Sequence, residues 1–235
     1  MPDRKKIAIL QSAYIPWKGY FDLIGAVDEF VIYDDMQYTH HDWRNRNQIK
    51  TPQGVQWISI PVASRGRFGQ TIRDTQVKDD RWSKKHWMSL QLNYGRSNCF
   101  SAHKDHIGQI YLELQQEKCL SKINRCWIVA ICNILGITTP ITCSQDYQLI
   151  GDRNQRLVEI CRQAGATEYV SGPAARSYID QTLFAEAGIK LTWFDYAGYP
   201  EYPQLWGEFQ HGVTILDLLF NCGADATRYM KFRKT

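Results

Sequence analysis

Residues 6–34, KIAILQSAYIPWKGYFDLIGAVDEFVIYD, place two short apolar runs on either side of a segment with helical spacing. The runs at 6–10 and 29–34 are rich in Ile, Val and Phe and have the length of buried strands. Between them, from 17 to 26, apolar residues recur on one side of a short helix, with Pro16 at its start. The pattern predicts a compact β-α-β unit, and a right-handed crossover sets its two strands parallel.

Outward from this unit the rhythm continues. Residues 47–50 and 55–61 flank Thr51-Pro52-Gln53-Gly54, a hairpin turn with glycine where positive φ is needed. A helix is predicted over 83–92. Ile107, Ile110, Tyr111 and Leu114 mark a second helix, and Leu120, Ile123, Trp127, Ile131 and Ile134 a third that stops at Gly136. Strands at 140–143, 168–171 and 190–194 then alternate with helices at 153–164, 178–187 and 214–221. The expected architecture is α/β: one doubly wound, mainly parallel sheet in a single domain over 1–235, with a helical insertion at 80–136.

Composition sets the class. With 235 residues, 44% hydrophobic and 22% charged, the chain can bury a sizeable core. No apolar run approaches the roughly 20 residues of a spanning helix, and the first residues lack the pattern of a secretory leader. Seven scattered cysteines without a C-x-x-C pair read as reduced thiols. A cytoplasmic location is therefore expected. Residues 1–104 hold 16 Lys and Arg against 10 Asp and Glu, which favours an anionic small-molecule ligand there. The net charge of +4 is too mild for a nucleic-acid surface.

In open parallel sheets ligands sit beyond the carboxyl ends of the strands. After the first strand come Gln11, Tyr14, Trp17, Gly19 and Tyr20, where glycine permits close approach and the helix start offers free N–H groups. After the second comes the densest polar cluster, YDDMQYTHHDWRNRNQIK at 33–50. It holds Asp34, Gln37, Tyr38, His40, His41, Arg44, Asn45 and Arg46, with two arginines suited to a phosphate or carboxylate. Ser144, Ser171 and Gly172 follow two later strands and are candidates for backbone or hydroxyl contacts. The dinucleotide, P-loop and nucleophile-elbow fingerprints are absent. His103 and His106 have metal-ligand spacing but no third ligand in sight, so no metal site is expected.

The stretches IAILQSAYIPWKGYFDLI, VIYDDMQYTHHDWRNRNQIKTPQGVQWISIPV, YVSGPAARSYID and ILDLLFNCG, in this order, resemble the WbqC-like proteins. Two departures are Ser12, where that family more often has proline, and His40-His41 in place of a more basic pair. The resemblance implies a place in surface-polysaccharide (O-antigen-type) amino-sugar biosynthesis. It points to an enzyme that transfers an acyl or aminoacyl group to the amine of a nucleotide-linked sugar, with ATP-dependent amide ligation as a variant. ATP with magnesium is then a possible cofactor. A looser analogy is to nucleotidyltransferase-like folds such as pantothenate synthetase, whose His-x-Gly-His is replaced here by Trp17-Lys18-Gly19-Tyr20.

On this reading Arg44 and Arg46 hold a phosphate or carboxylate, Trp17 and Tyr20 stack a base or sugar, and Asp34, His40 or His41 takes a proton from the attacking amine. The alternative is a non-catalytic binder of a nucleotide-sugar or glycan. Both readings expect the Gln11–Tyr20 turn and the loop after Asp34 to face one shared cleft.

Overall fold

The computed structural model describes residues 4–232. Its central sheet has five strands in the order β5-β2-β1-β6-β7, all parallel. β1 (Lys6–Leu10) passes through α1 (Lys18–Gly25) to β2 (Glu29–Ile32), its neighbour, in the register Ile7 to Glu29 through Leu10 to Ile32. A separate antiparallel hairpin, β3 (Arg46–Thr51) and β4 (Gly54–Ser59), turns at Gly54 with φ 105°. Three helices follow, α2 (Arg81–Tyr94), α3 (Phe100–Glu113) and α4 (Leu120–Leu135), the last ending on Gly136 in the left-handed region. The chain returns to the sheet at β5 (Ile141–Cys143). It then crosses β1 through α5 (Arg153–Gln163) to β6 (Glu168–Ser171), and α6 (Gln181–Glu186) leads to β7 (Lys190–Trp193). α7 (Ile215–Cys222) comes last.

Side chains alternate along the strands, so each face of the sheet has its own apolar layer. Ala8, Phe30, Ile32 and Val170 pack in a cluster with Phe21 and Leu23 of α1, Ile128 of α4 and Leu216 of α7. Ile7, Ile9, Val31, Tyr33 and Tyr169 pack with Leu157 and Ile160 of α5 and Phe184 of α6. Helices thus cover both faces, as a doubly wound sheet requires. The first cluster also runs into α2 and α3 through Trp82, Leu90, Ile107 and Tyr111. Among the described residues no helix is long and apolar enough to cross a membrane.

Two features position the candidate site. The strand order reverses at β1, with β2 on one side and β6 on the other, and this opens a crevice beyond their carboxyl ends. The second is the segment 194–214, which contains neither helix nor strand. Buried ammonium groups and one indole hold it down. Lys18 Nζ donates to the Pro200 carbonyl (3.1 Å), Lys50 Nζ to Glu208 (2.7 Å) and Trp206 Nε1 to Asn93 (2.9 Å). Asp217 of α7 accepts from Tyr202 (2.8 Å) and Gln204 (2.9 Å) of the same segment. Burial lowers the pKa of Lys18 to about 8, although its ammonium lies near the faces of Tyr199, Tyr202 and Phe209. A long irregular segment fastened this tightly serves as a built wall of the molecule.

Candidate functional site

The turn after β1 is held in a strained shape. Ile15, a β-branched residue, has φ 42°. Its carbonyl accepts from Asn47 Nδ2 (2.8 Å) and Thr214 Oγ1 (2.8 Å), and the Tyr14 carbonyl accepts from Asn47 as well (3.0 Å). Three bonds from β3 and the start of α7 over-determine the conformation. They aim Pro16 and Trp17 at a cavity of about 320 Å³. Trp17, Tyr20 and Trp43 form its aromatic walls, Arg44 and Asn47 its polar side, and His211 with Gly212 its rim.

A second hollow of about 220 Å³ opens on the α5 side of the sheet, lined by Gln11 after β1, Tyr33 after β2, Tyr169 of β6, Arg153 of α5 and Tyr178. Leu10 and Arg44 line both hollows, so the two meet at the Arg44 side chain. Arg44 donates from Nη1 to the Ser12 carbonyl (2.8 Å), and its Nε lies 3.5 Å from Asp42.

Of the residues expected at the site, Trp17, Tyr20 and Arg44 come together in the first hollow, and Gln11 and Arg44 in the second. The Tyr20 hydroxyl donates to the Gln11 carbonyl (3.1 Å), tying the two sides. The other expected residues lie elsewhere. Tyr14 is fully buried and its hydroxyl bonds His86 Nδ1 (2.9 Å) and Tyr111 (3.0 Å), so it anchors the turn in the α2–α3 core. Gly19 does permit a close approach, but by the indole of Trp17: a Cβ there would stand 2.6 Å from Trp17 Cη2. Gly19→Ala is therefore expected to push Trp17 out of the cavity wall. The cost in urea unfolding should be roughly 1–3 kcal/mol, with a change in tryptophan fluorescence. An unchanged spectrum would show that the ring is not held there.

The second strand end is corrected most. Asp34 is 4% exposed and lines neither hollow. Its carboxylate accepts from the Ser12 N–H (2.8 Å), the Ser12 hydroxyl (2.7 Å) and the Ser121 hydroxyl. Burial pushes its pKa up, against those donors and the Arg44 charge. It is a tie between β2, the β1 turn and α4, and a proline at Ser12 would supply neither of that residue's two bonds. His40 and His41 are exposed and line neither hollow. Arg46 donates to the His41 carbonyl, lies over the Trp57 ring, 4.0 Å from its centroid, and lines neither hollow. The Tyr38 hydroxyl donates to Asn45 (3.0 Å), whose amide donates to Ile60 (2.8 Å), so this pair fastens the loop to the hairpin. Gln37 is exposed and bridges to Thr71.

At the later strand ends, Ser144 donates to Asp35 (2.5 Å), which also pairs with Arg73. Ser171 is buried and lines neither hollow. Gly172 lies beside Tyr196, whose ring stands 5.4 Å from Trp17.

Sequence reasoning missed Trp43, His211, Tyr33, Arg153, Tyr169 and Tyr178 as lining residues. Trp43 lies tilted against Trp57, ring centroids 5.1 Å apart, and both rings are exposed. His211 sits edge-on to Phe209 at 4.6 Å, and desolvation together with the Lys18 charge lowers its pKa against the pull of Glu201, which favours the neutral ring. The signal for His211 was available: 194–214 carries six aromatic residues and no helical or strand period.

The family described as the WbqC-like protein family matches residues 11–229. That span takes in both walls of the cleft, from Gln11 to His211. The chain belongs to the WbqC-like family. A relative from Mycobacterium tuberculosis (strain ATCC 25618 / H37Rv), named "Uncharacterized protein Rv1507c", is 55% identical over 228 residues, covering 97% of this chain and 98% of its own. No solved structure matches the chain. For this WbqC-like protein the chemistry must therefore be argued from the cleft itself.

Proposed function

We propose that this WbqC-like protein binds a nucleotide-linked amino sugar in the cleft and transfers an acyl or aminoacyl group to its amine, as a cytoplasmic enzyme of surface-polysaccharide synthesis. The observation that carries the binding half is Arg44, shared by an aromatic hollow and a polar one at the point where strand order reverses. The aromatic walls suit a sugar face or a base, and the guanidinium suits an anion. The amino-sugar class comes from the family resemblance.

Acyl transfer needs a base to take the proton as the amine nitrogen bonds the acyl carbon and the leaving group departs. Among the titratable groups of the first hollow, His211, whose lowered pKa favours the neutral ring, fits that task, and it takes the place expected for Asp34, His40 or His41. An ATP-dependent ligase would use the same groups and differ in how the acyl carbon is activated. The second reading, binding without chemistry, is favoured by one observation: His211 stands on the exposed rim, with no carboxylate lining the first hollow to orient it among the described residues.

A melting scan with nucleotide-linked amino sugars, acyl-CoA, and ATP with magnesium tests the proposal. A ligand at 100 times its Kd adds about 2.7 kcal/mol, a rise of roughly 5–10 °C for a chain of this size. The proposal expects that rise with a nucleotide-sugar, and its loss in Trp43→Ala. His211→Gln should then abolish turnover while keeping the shift. Turnover unchanged in His211→Gln would remove the assigned base, and no shift with any nucleotide-sugar would remove the proposal.

A further inference from the structure

The second hollow, on the α5 side, has a composition of its own. Its charged lining groups are two guanidiniums, Arg44 and Arg153, and among the described residues no carboxylate lines it. Arg153 lies over Tyr178, its guanidinium carbon 3.7 Å from the ring centroid, and forms no ion pair among the described residues. The contact with the ring restrains the guanidinium while engaging none of its N–H groups in an ion pair, so they can donate to an acceptor. Arg44 spends one nitrogen on Ser12 and its Nε in a 3.5 Å ion pair with Asp42, which leaves its remaining N–H groups for an acceptor.

Tyr33 supplies an independent observation. It lines this hollow, is 4% exposed, and its hydroxyl has no partner within 3.5 Å in hydrogen-bonding geometry, the Arg156 guanidinium approaching it only loosely. A buried hydroxyl without a partner is costly, so such groups in folded proteins ordinarily meet a ligand or an ordered water. Burial pushes the Tyr33 phenol up, and the Arg156 guanidinium, a loose donor to it and a third positive charge beside the hollow, acts against that rise. The start of α5 is itself closed, because the Asp152 side chain accepts from Asn154 N and Gln155 N (2.9 Å each). The cations and the phenol, rather than the helix end, make this site.

We propose that the second hollow is a pyrophosphate subsite, in which Arg44 and Arg153 hold the anion and the Tyr33 hydroxyl donates to one of its oxygens. A bound nucleotide-linked sugar then spans the crevice, with its diphosphate beside Arg44 and Arg153 and its other end past Arg44 among Trp17, Tyr20 and Trp43. The anion site stands on its own residues; only this second statement rests on the function proposed above.

Calorimetry with inorganic pyrophosphate and with a nucleoside diphosphate tests it, on the wild-type chain, Arg153→Ala and Tyr33→Phe. Arg153 is exposed, and phenylalanine keeps the Tyr33 packing while removing a hydroxyl with no well-formed hydrogen bond, so both variants should melt close to the wild type. The wild type is expected to bind pyrophosphate with an affinity that falls as salt rises. Arg153→Ala should weaken it roughly 10-fold or more, and Tyr33→Phe several-fold. Tighter binding of the nucleoside diphosphate than of pyrophosphate, with the difference lost in Trp43→Ala, would support the spanning pose. Pyrophosphate binding without any nucleotide-sugar binding would support the subsite and overturn the proposed function alone. No binding of either anion, or equal affinities in all three proteins, would overturn the subsite.

Discussion

Asp34→Ala is expected to destabilise the protein by about 3 kcal/mol and to weaken ligand binding at the same time. The carboxylate collects the Ser12 N–H, the Ser12 hydroxyl and the Ser121 hydroxyl in a place with almost no access to water. Deleting it strands those donors, each at roughly 1–3 kcal/mol, reduced to the extent that the two hydroxyls can turn elsewhere. The effect travels, because the carbonyl of Ser12 holds Arg44 and the hydroxyl of Ser12 accepts from Asn124 Nδ2 (3.0 Å), whose amide also bonds the Arg44 carbonyl (2.8 Å). Melting should fall by roughly 6–12 °C, and the ligand-induced shift should shrink with it. Asp34→Asn separates this from a catalytic role. As a general base, Asp34 would lose turnover with affinity and stability intact; as a tie, it loses stability and affinity together. Full stability with abolished turnover in the Asn variant would sink the structural assignment.

The β-α-β unit was legible because its evidence is local. The apolar runs of β1 and β2 and the helical spacing between them need no distant partner to be read, and the ends of those strands follow at once. The same locality explains the errors. Tyr14 follows a strand end as a binding residue would, yet its hydroxyl meets His86 and Tyr111, which arrive from helices 72 and 97 residues away. Gly19 correctly marks a close approach, but composition cannot say that the approaching group is the indole two residues earlier. Asp34 looks like an exposed acid at a strand tip until α4 brings Ser121 across 87 residues to cover it. The second hollow needs β2, β6 and α5 placed together before Tyr33 and Arg153 share a space. Secondary structure was read from neighbours along the chain, whereas burial of a polar group depends on neighbours in space.

The two hollows also give the strained turn a reason. A parallel sheet reverses its winding between β1 and β6, so a ligand there can contact groups on both faces. Arg44 reaches both hollows because its loop is fastened to the β1 turn, where Tyr14 N donates to the Trp43 carbonyl (3.0 Å). The Ile15 conformation costs on the order of 1–3 kcal/mol, offset by the bonds from Asn47 and Thr214, and it fixes where Trp17 stands relative to Arg44. Rigid placement of the aromatic and cationic groups lowers the ordering cost of binding.

Acid is expected to destabilise the fold that holds this same turn, through His86. Its ring is buried, with Nδ1 against the Tyr14 hydroxyl (2.9 Å) and Nε2 against the Ser59 carbonyl (3.2 Å). The neutral tautomer with hydrogen on Nε2 satisfies both, donating to Ser59 and accepting from Tyr14. Burial lowers its pKa from 6.5 to about 4. In that window the unfolded chain takes up a proton that the folded chain refuses, so stability is full above pH 6.5 and falls as pH drops toward 4. The stability lost across that window is about 3 kcal/mol. Buried Asp22, Asp34 and Asp217 act in the opposite sense, since burial raises each of them and acid favours their folded, protonated forms. The measurement is therefore a difference: urea unfolding of wild type and His86→Gln across that range, in which the carboxylates cancel. Wild type should lose its advantage progressively on acidification, while the folded turn keeps its shape, and with it nucleotide-sugar affinity, until the pH falls toward 4 and His86 itself takes up a proton. Parallel stability profiles for the two proteins would show that His86 does not govern the turn.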